Sequence, residues 1–277
     1  MRKHSVDHRT GFLTGSALLA IAAIALIPTT RSGGDDAGTQ GKKPTIVLVH
    51  GAWADGSSWA EVSDRLQDDG FDVRVPPNNL RGVATDAPDL ARYLESIDGP
   101  IVLAAHSYGG MVITNAAEGN DQVKALVYVD AFIPDEGETL VDLNQPPGIF
   151  AQDPANVFDV VPYTGAPEGV ADAYVKDRLF REAFAADGLA SRHMAVLAAA
   201  QRPLSVQAFA MPSGDPAWAD IPSWAVVGEQ DRIIPAEAQR EMAQRAGARV
   251  TELDAPHLSM LTHDREVARV IVRAAKG

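Results

Sequence analysis

Residues 101–110 read IVLAAHSYGG, and the fold follows from how this stretch is built. Ile101 to Ala105 is an apolar run with the length of a buried strand. It passes without a linker into Ala105-His106-Ser107-Tyr108-Gly109 and then into a helical pattern that runs from about Tyr108 to Ala117. Small residues two before and two after a serine permit a sharp strand-to-helix turn, because a bulky side chain there would strike the neighbouring strands. Ala105 stands where glycine is usual, a mild departure from G-x-S-x-G. The helix N-terminus at the serine favours negative charge developing beside it. The stretch therefore predicts a nucleophile elbow with Ser107 at its apex, the plainer alternative being a serine N-cap after an ordinary strand.

Outward from this point, short apolar runs alternate with helical patterns. Thr45 to Val49 reads as a strand, followed by a helix from Trp59 to Asp69 with a Ser58/Glu61 capping box at its start and Gly70 as its stop. Phe71 to Val75 is the next strand, closed by Pro76 and Pro77, and a helix follows around Pro88 to Ser96. Val123 to Val129, Trp224 to Gly228 and Arg249 to Leu253 are further strands. Pro235 and Gly247 bound a helix, and Asp264 opens a terminal one reaching Ala275. Such alternation predicts an α/β fold with a mostly parallel, doubly wound sheet covered on both faces.

Between Asp130 and Ile221 the rhythm breaks. Structureless loops of that length are uncommon in a compact domain, so residues 132–221 are expected to form a mostly helical cap, with a helix over Val170 to Ala186, inserted between two consecutive strands. A second independent domain is the alternative, disfavoured because strands resume immediately afterwards.

A serine hydroxyl needs a base, and the base needs a carboxylate to orient it. The strand Trp224 to Gly228 is followed three residues later by Asp231, and the strand Arg249 to Leu253 by a loop that presents His257. The chain order Ser107, Asp231, His257 fits this architecture, and all three fall at C-terminal strand ends, where open α/β sheets bind ligands. Two backbone N–H groups are expected to serve a developing oxyanion: that of Tyr108, directly after the serine, and that of Ala52, in the turn His50-Gly51-Ala52-Trp53. Asp130 also ends a strand and reads either as a substitute acid or as a hinge of the cap. Glu229 reads as a loop charge, Asp254 as a turn residue, His263 as capping or surface, His193 as an unpartnered cap residue and His106 as packing. A metal site at His50, His106 and His257 lacks any paired-ligand spacing.

Composition narrows the classes. The chain of 277 residues is 46% hydrophobic and 22% charged, the balance of a globular protein. Asp and Glu number 37 against 24 Lys and Arg, a net charge of −13 that disfavours nucleic acid as a partner. With no cysteine, thiol nucleophiles, thiolate metal sites and disulfides are excluded, so the chemistry must use oxygen or imidazole. Arg2, Lys3 and Arg9 precede an apolar run from Ala17 to Ile27, and a Gly/Asp/Lys linker follows from Gly33 to Lys43. Residues 1–43 are expected to be an export segment, cleaved or retained as an N-terminal anchor, ahead of a domain over residues 44–277. The run is short for a membrane span, which favours a cleaved signal over a retained helix, and the mature domain is expected not to insert into a membrane unless that segment is retained.

LVHGAW (Leu48 to Trp53), AHSYGG (Ala105 to Gly110), LVYVDAFIPDEGE (Leu126 to Glu138), VVGEQDRIIP (Val226 to Pro235) and PHLSML (Pro256 to Leu261) together resemble the α/β-hydrolase fold. The nearest branch is that of small bacterial serine hydrolases similar to plant methylesterases and hydroxynitrile lyases. The resemblance covers about 230 residues. It implies a cofactor-free enzyme with Ser107, His257 and Asp231 as triad and a cap that shapes the pocket for a small-molecule ester. The lyases of this group carry a lysine after the catalytic histidine and a threonine after the strand-ending histidine; Leu258 and Gly51 stand there in this chain, which argues against the lyase reaction. Ester hydrolysis through an acyl-enzyme is the expected activity. Lactonase, amidase and perhydrolase chemistry share the same triad, and non-catalytic binding of a small molecule is the alternative of a different class.

Overall fold

A computed structural model describes residues 42–185 and 188–277, so the export segment expected at the N-terminus lies almost wholly outside the described residues. Its last two residues, Lys42 and Lys43, are fastened to the domain, their Nζ atoms donating to the carbonyls of Asp98 and Asp69 at 2.8 Å each. No helix among the described residues is long and apolar enough to cross a membrane.

The first half runs β1 (Thr45–Val49), α1 (Ala60–Asp68), β2 (Val73–Arg74), α2 (Val83–Glu95), β3 (Ile101–His106), α3 (Gly109–Ala116) and β4 (Val123–Val129). An insertion follows, with α4 (Leu140–Leu143), α5 (Pro154–Val157), β5 (Phe158–Val161), β6 (Asp172–Val175), α6 (Asp177–Phe184), α7 (Ser191–Ala199) and β7 (Leu204–Ser205). The chain ends with β8 (Ser223–Gly228), α8 (Ala236–Arg245), β9 (Arg249–Leu253), α9 (Ser259–Thr262) and α10 (Asp264–Ala274).

Six strands form one parallel sheet in the order β2-β1-β3-β4-β8-β9. Every residue of β1 and of β3 is buried, as a sheet covered on both faces requires. Right-handed crossovers put α1 and α2 on opposite faces, because β1 to β2 runs one way across the sheet and β2 to β3 the other. The contacts agree: α1 packs on α10, and α2 on α3. The direction of winding reverses between β1 and β3, so the loops leaving these strands diverge and open a crevice at their C-terminal ends. The register aligns those ends, pairing Val49 with Ala105, His106 with Val129, Val129 with Val226 and Gly228 with Leu253.

Three local expectations differ from the structure. In place of one helix over Val170 to Ala186, the described part of that stretch holds the strand Asp172–Val175 and then the helix Asp177–Phe184, because Asp172–Val175 pairs antiparallel between β5 and β7 and alternates in burial. The insertion is thus helices plus a three-stranded sheet. Ser58 does not cap α1: a 3-10 turn over Gly56–Trp59 precedes that helix, and the Asp55 side chain caps the turn by accepting from the Ser57 N–H at 2.8 Å. Helix α2 starts at Val83, ahead of Pro88, where the buried Asp86 carboxylate takes up the N–H groups of Arg81 and Gly82.

Candidate active site

Ser107 sits where β3 turns into α3 with φ of +54°, in the left-handed region that a side chain normally avoids. Such strain costs about 1–3 kcal/mol and persists only where the surroundings impose it. The surroundings here are glycines that nothing larger could replace. A Cβ on Gly109 would lie 2.9 Å from the Val49 carbonyl, and one on Gly110 only 2.0 Å from the Phe132 carbonyl. Trp53 and Asp130, just beyond β1 and β4, share the strain with φ of +57° and +45°. Three of the four non-glycine residues with positive φ among the described residues therefore cluster at neighbouring strand ends.

Asp231 and His257 meet directly, although 26 residues separate them in the chain. The His257 Nδ1–H donates to Asp231 Oδ2 at 2.7 Å, and both side chains are fully buried. The carboxylate is held from all sides. Its Oδ1 accepts from the N–H groups of Ile233 and Ile234 at 2.7 and 2.9 Å, and its Oδ2 from Gln239 Nε2 at 2.8 Å. Burial pushes the Asp231 carboxyl up, and these donors oppose the shift. Burial drives the His257 imidazole down to about 3, so the ring is neutral. Its Nδ1 carries the proton, and its Nε2 has a free lone pair with no hydrogen-bond partner. That leaves Nε2 unbonded to Ser107.

Ser107 is nevertheless held in the same locality. His106, its neighbour in sequence, stacks at a tilt on the His257 ring, centroids 4.6 Å apart, and donates Nε2–H to the His257 carbonyl at 2.9 Å. His106 is thus a strut between elbow and histidine loop, a role beyond the packing expected from sequence. On the other side Gly51 abuts the serine, since a Cβ on Gly51 would lie 2.7 Å from Ser107 Cβ. The turn bearing Ala52 is braced by His50, which donates Nδ1–H to the Gly51 carbonyl at 2.9 Å and accepts at Nε2 from the Asn78 N–H at 3.1 Å. Neither the Ala52 nor the Tyr108 N–H donates to a backbone carbonyl among the described residues. The Tyr108 hydroxyl is anchored on Asp86 at 2.8 Å, which fixes that residue's backbone from the outside.

The other candidates separate clearly. Asp130 is completely buried, and its Oδ2 accepts from the Ser259 N–H at 3.0 Å. Glu229 lies exposed 3.7 Å from Arg240, and Asp254 accepts from Gln230. His263 bonds to the Thr262 hydroxyl without capping α10, and His193 is exposed on α7.

The insertion roofs the site with aromatic rings. Trp53 stacks on Phe158 at 5.5 Å and meets Phe150 and Phe184 edge-on at 4.9 and 6.2 Å, while Phe184 stands 5.7 Å from the His257 ring. The Trp53 Nε1–H donates to the Ala173 carbonyl at 2.8 Å and ties the roof to the turn after β1. A cavity of about 40 Å³ remains between Trp53, Phe180, Phe184, Leu197 and Leu258, with Asp55 and Ser58 at its rim. That volume holds a water or two.

Comparison with known proteins gives a consistent picture. Residues 46–270 match the family described as "Alpha/beta hydrolase family". The chain is 34% identical over 123 residues to the carbendazim hydrolyzing esterase of Nocardioides sp. (strain SG-4G), an alignment covering 39% of this chain and 51% of that protein. Among solved structures, polyneuridine aldehyde esterase superposes with a TM-score of 0.68 at 20% identity, covering 84% of this chain and 99% of that one. A pyrethroid hydrolase from Sphingobium faniae JZ-2 gives 0.67 at 21% identity over 84% and 98%. At these identities the likeness to solved structures is one of fold.

Proposed function

Because this chain belongs to the α/β-hydrolase family, we propose that it hydrolyses neutral carboxylic esters through a covalent acyl-enzyme on Ser107. The observation that carries the reading is the buried His257–Asp231 hydrogen bond of 2.7 Å at the strand ends that also present the strained Ser107. His257 Nε2 takes the Ser107 proton as Oγ attacks the ester carbonyl, and the N–H groups of Ala52 and Tyr108 receive the oxyanion. Collapse expels the alcohol, which takes the proton from His257. Water, deprotonated by the same Nε2, then releases the acid and restores Ser107. Asp231 keeps the imidazole in the tautomer that leaves Nε2 basic and stabilises the imidazolium formed at each step.

The relatives' names, a carbendazim esterase and a pyrethroid hydrolase among them, support an ester or carbamate carrying an aromatic group. The aromatic roof of Trp53, Phe150, Phe158 and Phe184 supports the same class. The basic start of the chain followed by the apolar run Ala17 to Ile27 supports export of the enzyme. The test is turnover of p-nitrophenyl and naphthyl esters by the purified chain and its Ser107→Ala variant, with labelling by a fluorophosphonate probe. The variant is expected to lose roughly a millionfold in turnover and all labelling. A Ser107→Ala protein that keeps near-normal turnover would sink the assignment.

A further inference from the structure

Asp130 is a second buried carboxyl that the reaction above does not use. It follows β4 directly, is completely buried and has a backbone φ of +45°. One of its oxygens, Oδ2, accepts from the Ser259 N–H at 3.0 Å, and the other, Oδ1, has no hydrogen-bond partner. Oδ1 lies against Gly228, where a Cβ would approach to 2.9 Å, so this carboxyl is packed against the end of the strand that leads to Asp231. Ser259 is two residues beyond His257. The backbone of the histidine loop is therefore gripped on both sides of the imidazole, by His106 at the His257 carbonyl and by Asp130 at the Ser259 N–H.

The charges around Asp130 define its state. The ionisable group acting on it is Asp231, with the Ser259 hydroxyl and the Gly228 N–H as polar neighbours, and no ion pair joins it to a cation among the described residues. Asp231 has three N–H donors and the imidazole, whereas Asp130 has a single hydrogen bond. Two buried carboxylates that act on each other cannot both ionise cheaply, and the negative charge settles where the donors are. Burial and then the Asp231 charge both push the Asp130 carboxyl well up.

We infer that Asp130 is a positioning residue, a neutral carboxylic acid that holds the histidine loop by the Ser259 N–H and leaves the single negative charge of the pair on Asp231. This rests on the esterase reading for its kinetic consequences but not for its geometry. An asparagine is the mimic of a protonated acid, with one accepting oxygen for Ser259 and hydrogens on the other side. Asp130→Asn is expected to keep kcat within about threefold of the native value and to leave the acidic limb of the kcat/KM pH profile within about 0.3 units, because no charge is removed. Asp130→Leu leaves the Ser259 N–H buried without an acceptor and frees the loop. Displacing a reacting group by an ångström costs about a hundredfold, so kcat is expected to fall by that order with KM little changed.

The experiment measures both variants on a p-nitrophenyl ester and, without substrate, follows the downfield proton NMR signal of the His257 Nδ1–H. The signal should survive in Asp130→Asn and vanish or broaden in Asp130→Leu. An Asp130→Asn variant as inactive as Asp231→Asn, or one whose acidic limb moves by a unit or more, would show an ionised Asp130 and overturn the inference. So would native-like kcat and NMR signal in Asp130→Leu. If Asp130→Leu fails to fold, the pH profile of the asparagine variant decides alone. A native protein that shows the proton signal, loses it in Asp130→Leu and yet turns over no ester would leave the clamp standing while removing the esterase reading.

Discussion

Changing Asp231 to asparagine alters almost nothing in size and tests the chemistry of the pair most sharply. Its two oxygens serve four donors: Oδ1 the N–H groups of Ile233 and Ile234 at 2.7 and 2.9 Å, Oδ2 the His257 Nδ1–H and Gln239 Nε2 at 2.7 and 2.8 Å. An amide has only one oxygen to offer. Two main-chain donors cannot turn away, so the amide oxygen stays with Ile233 and Ile234 and the NH₂ faces His257. The imidazole then satisfies it by accepting at Nδ1, which puts the ring proton on Nε2 and leaves no base for Ser107. In the Ser-His-Asp template the same exchange lowers kcat by about 10⁴, or about 5.5 kcal/mol of activation free energy. The assay is steady-state hydrolysis of p-nitrophenyl acetate at neutral pH, with circular dichroism to verify the fold and fluorophosphonate labelling to follow the serine. KM should stay close to native, because the substrate does not touch residue 231. A loss in kcat of less than about tenfold would refute the tautomer argument and with it the role of the 2.7 Å bond.

Further outcomes follow from the same geometry. Gly51→Ala places a methyl 2.7 Å from Ser107 Cβ and 3.0 Å from the His106 carbonyl, so kcat should drop by two orders of magnitude or about 100-fold while thermal stability changes modestly; a fully active variant would show that the turn can yield. Trp53→Leu removes the hydrogen bond to Ala173 and the stacking on Phe158, which should loosen the roof and raise KM for aryl esters above that for acetyl esters of simple alcohols; equal changes for both would place the aromatic group elsewhere. Stability should decline in acid. Burial holds His50, His106 and His257 below the ordinary histidine value of 6.5, so the unfolded chain binds protons that the native one refuses, and stability present above about pH 6.5 is lost as pH falls. Asp130 opposes this, since its raised value lets the native state keep a proton the unfolded chain gives up. One opposing carboxyl does not offset three imidazoles, so the net change is a loss of stability; a melting temperature that is level or rises from pH 6.5 to 5 would contradict the neutral, buried histidines.

Much of the fold is legible in the sequence. The strand over Val123–Val129 has the limits its apolar run suggests, because a strand buried on both faces announces itself by near-continuous hydrophobicity. Ser107 was legible because a turn that sharp tolerates few residues on either side. The segment Asp172–Val175 was not, because whether it becomes strand or helix depends on partners at Phe158–Val161 and Leu204–Ser205, distant in sequence. Asp130 was visible only as a charged residue at a strand end. Its role depends on Ser259, 129 residues away, and the pattern of neither segment contains the other.

The order of apolar runs, the glycines of the elbow and the absence of cysteine are local properties, and the sequence determines them because each acts through its immediate neighbours. What tertiary structure decided is which polar atoms meet once those runs align into a sheet: the His257–Asp231 bond, the grip of His106 and Asp130 on the histidine loop, and the closing of Trp53 against the cap. Buried polar groups must find partners wherever the fold brings them, and that pairing is a property of the assembled strand ends rather than of any one segment.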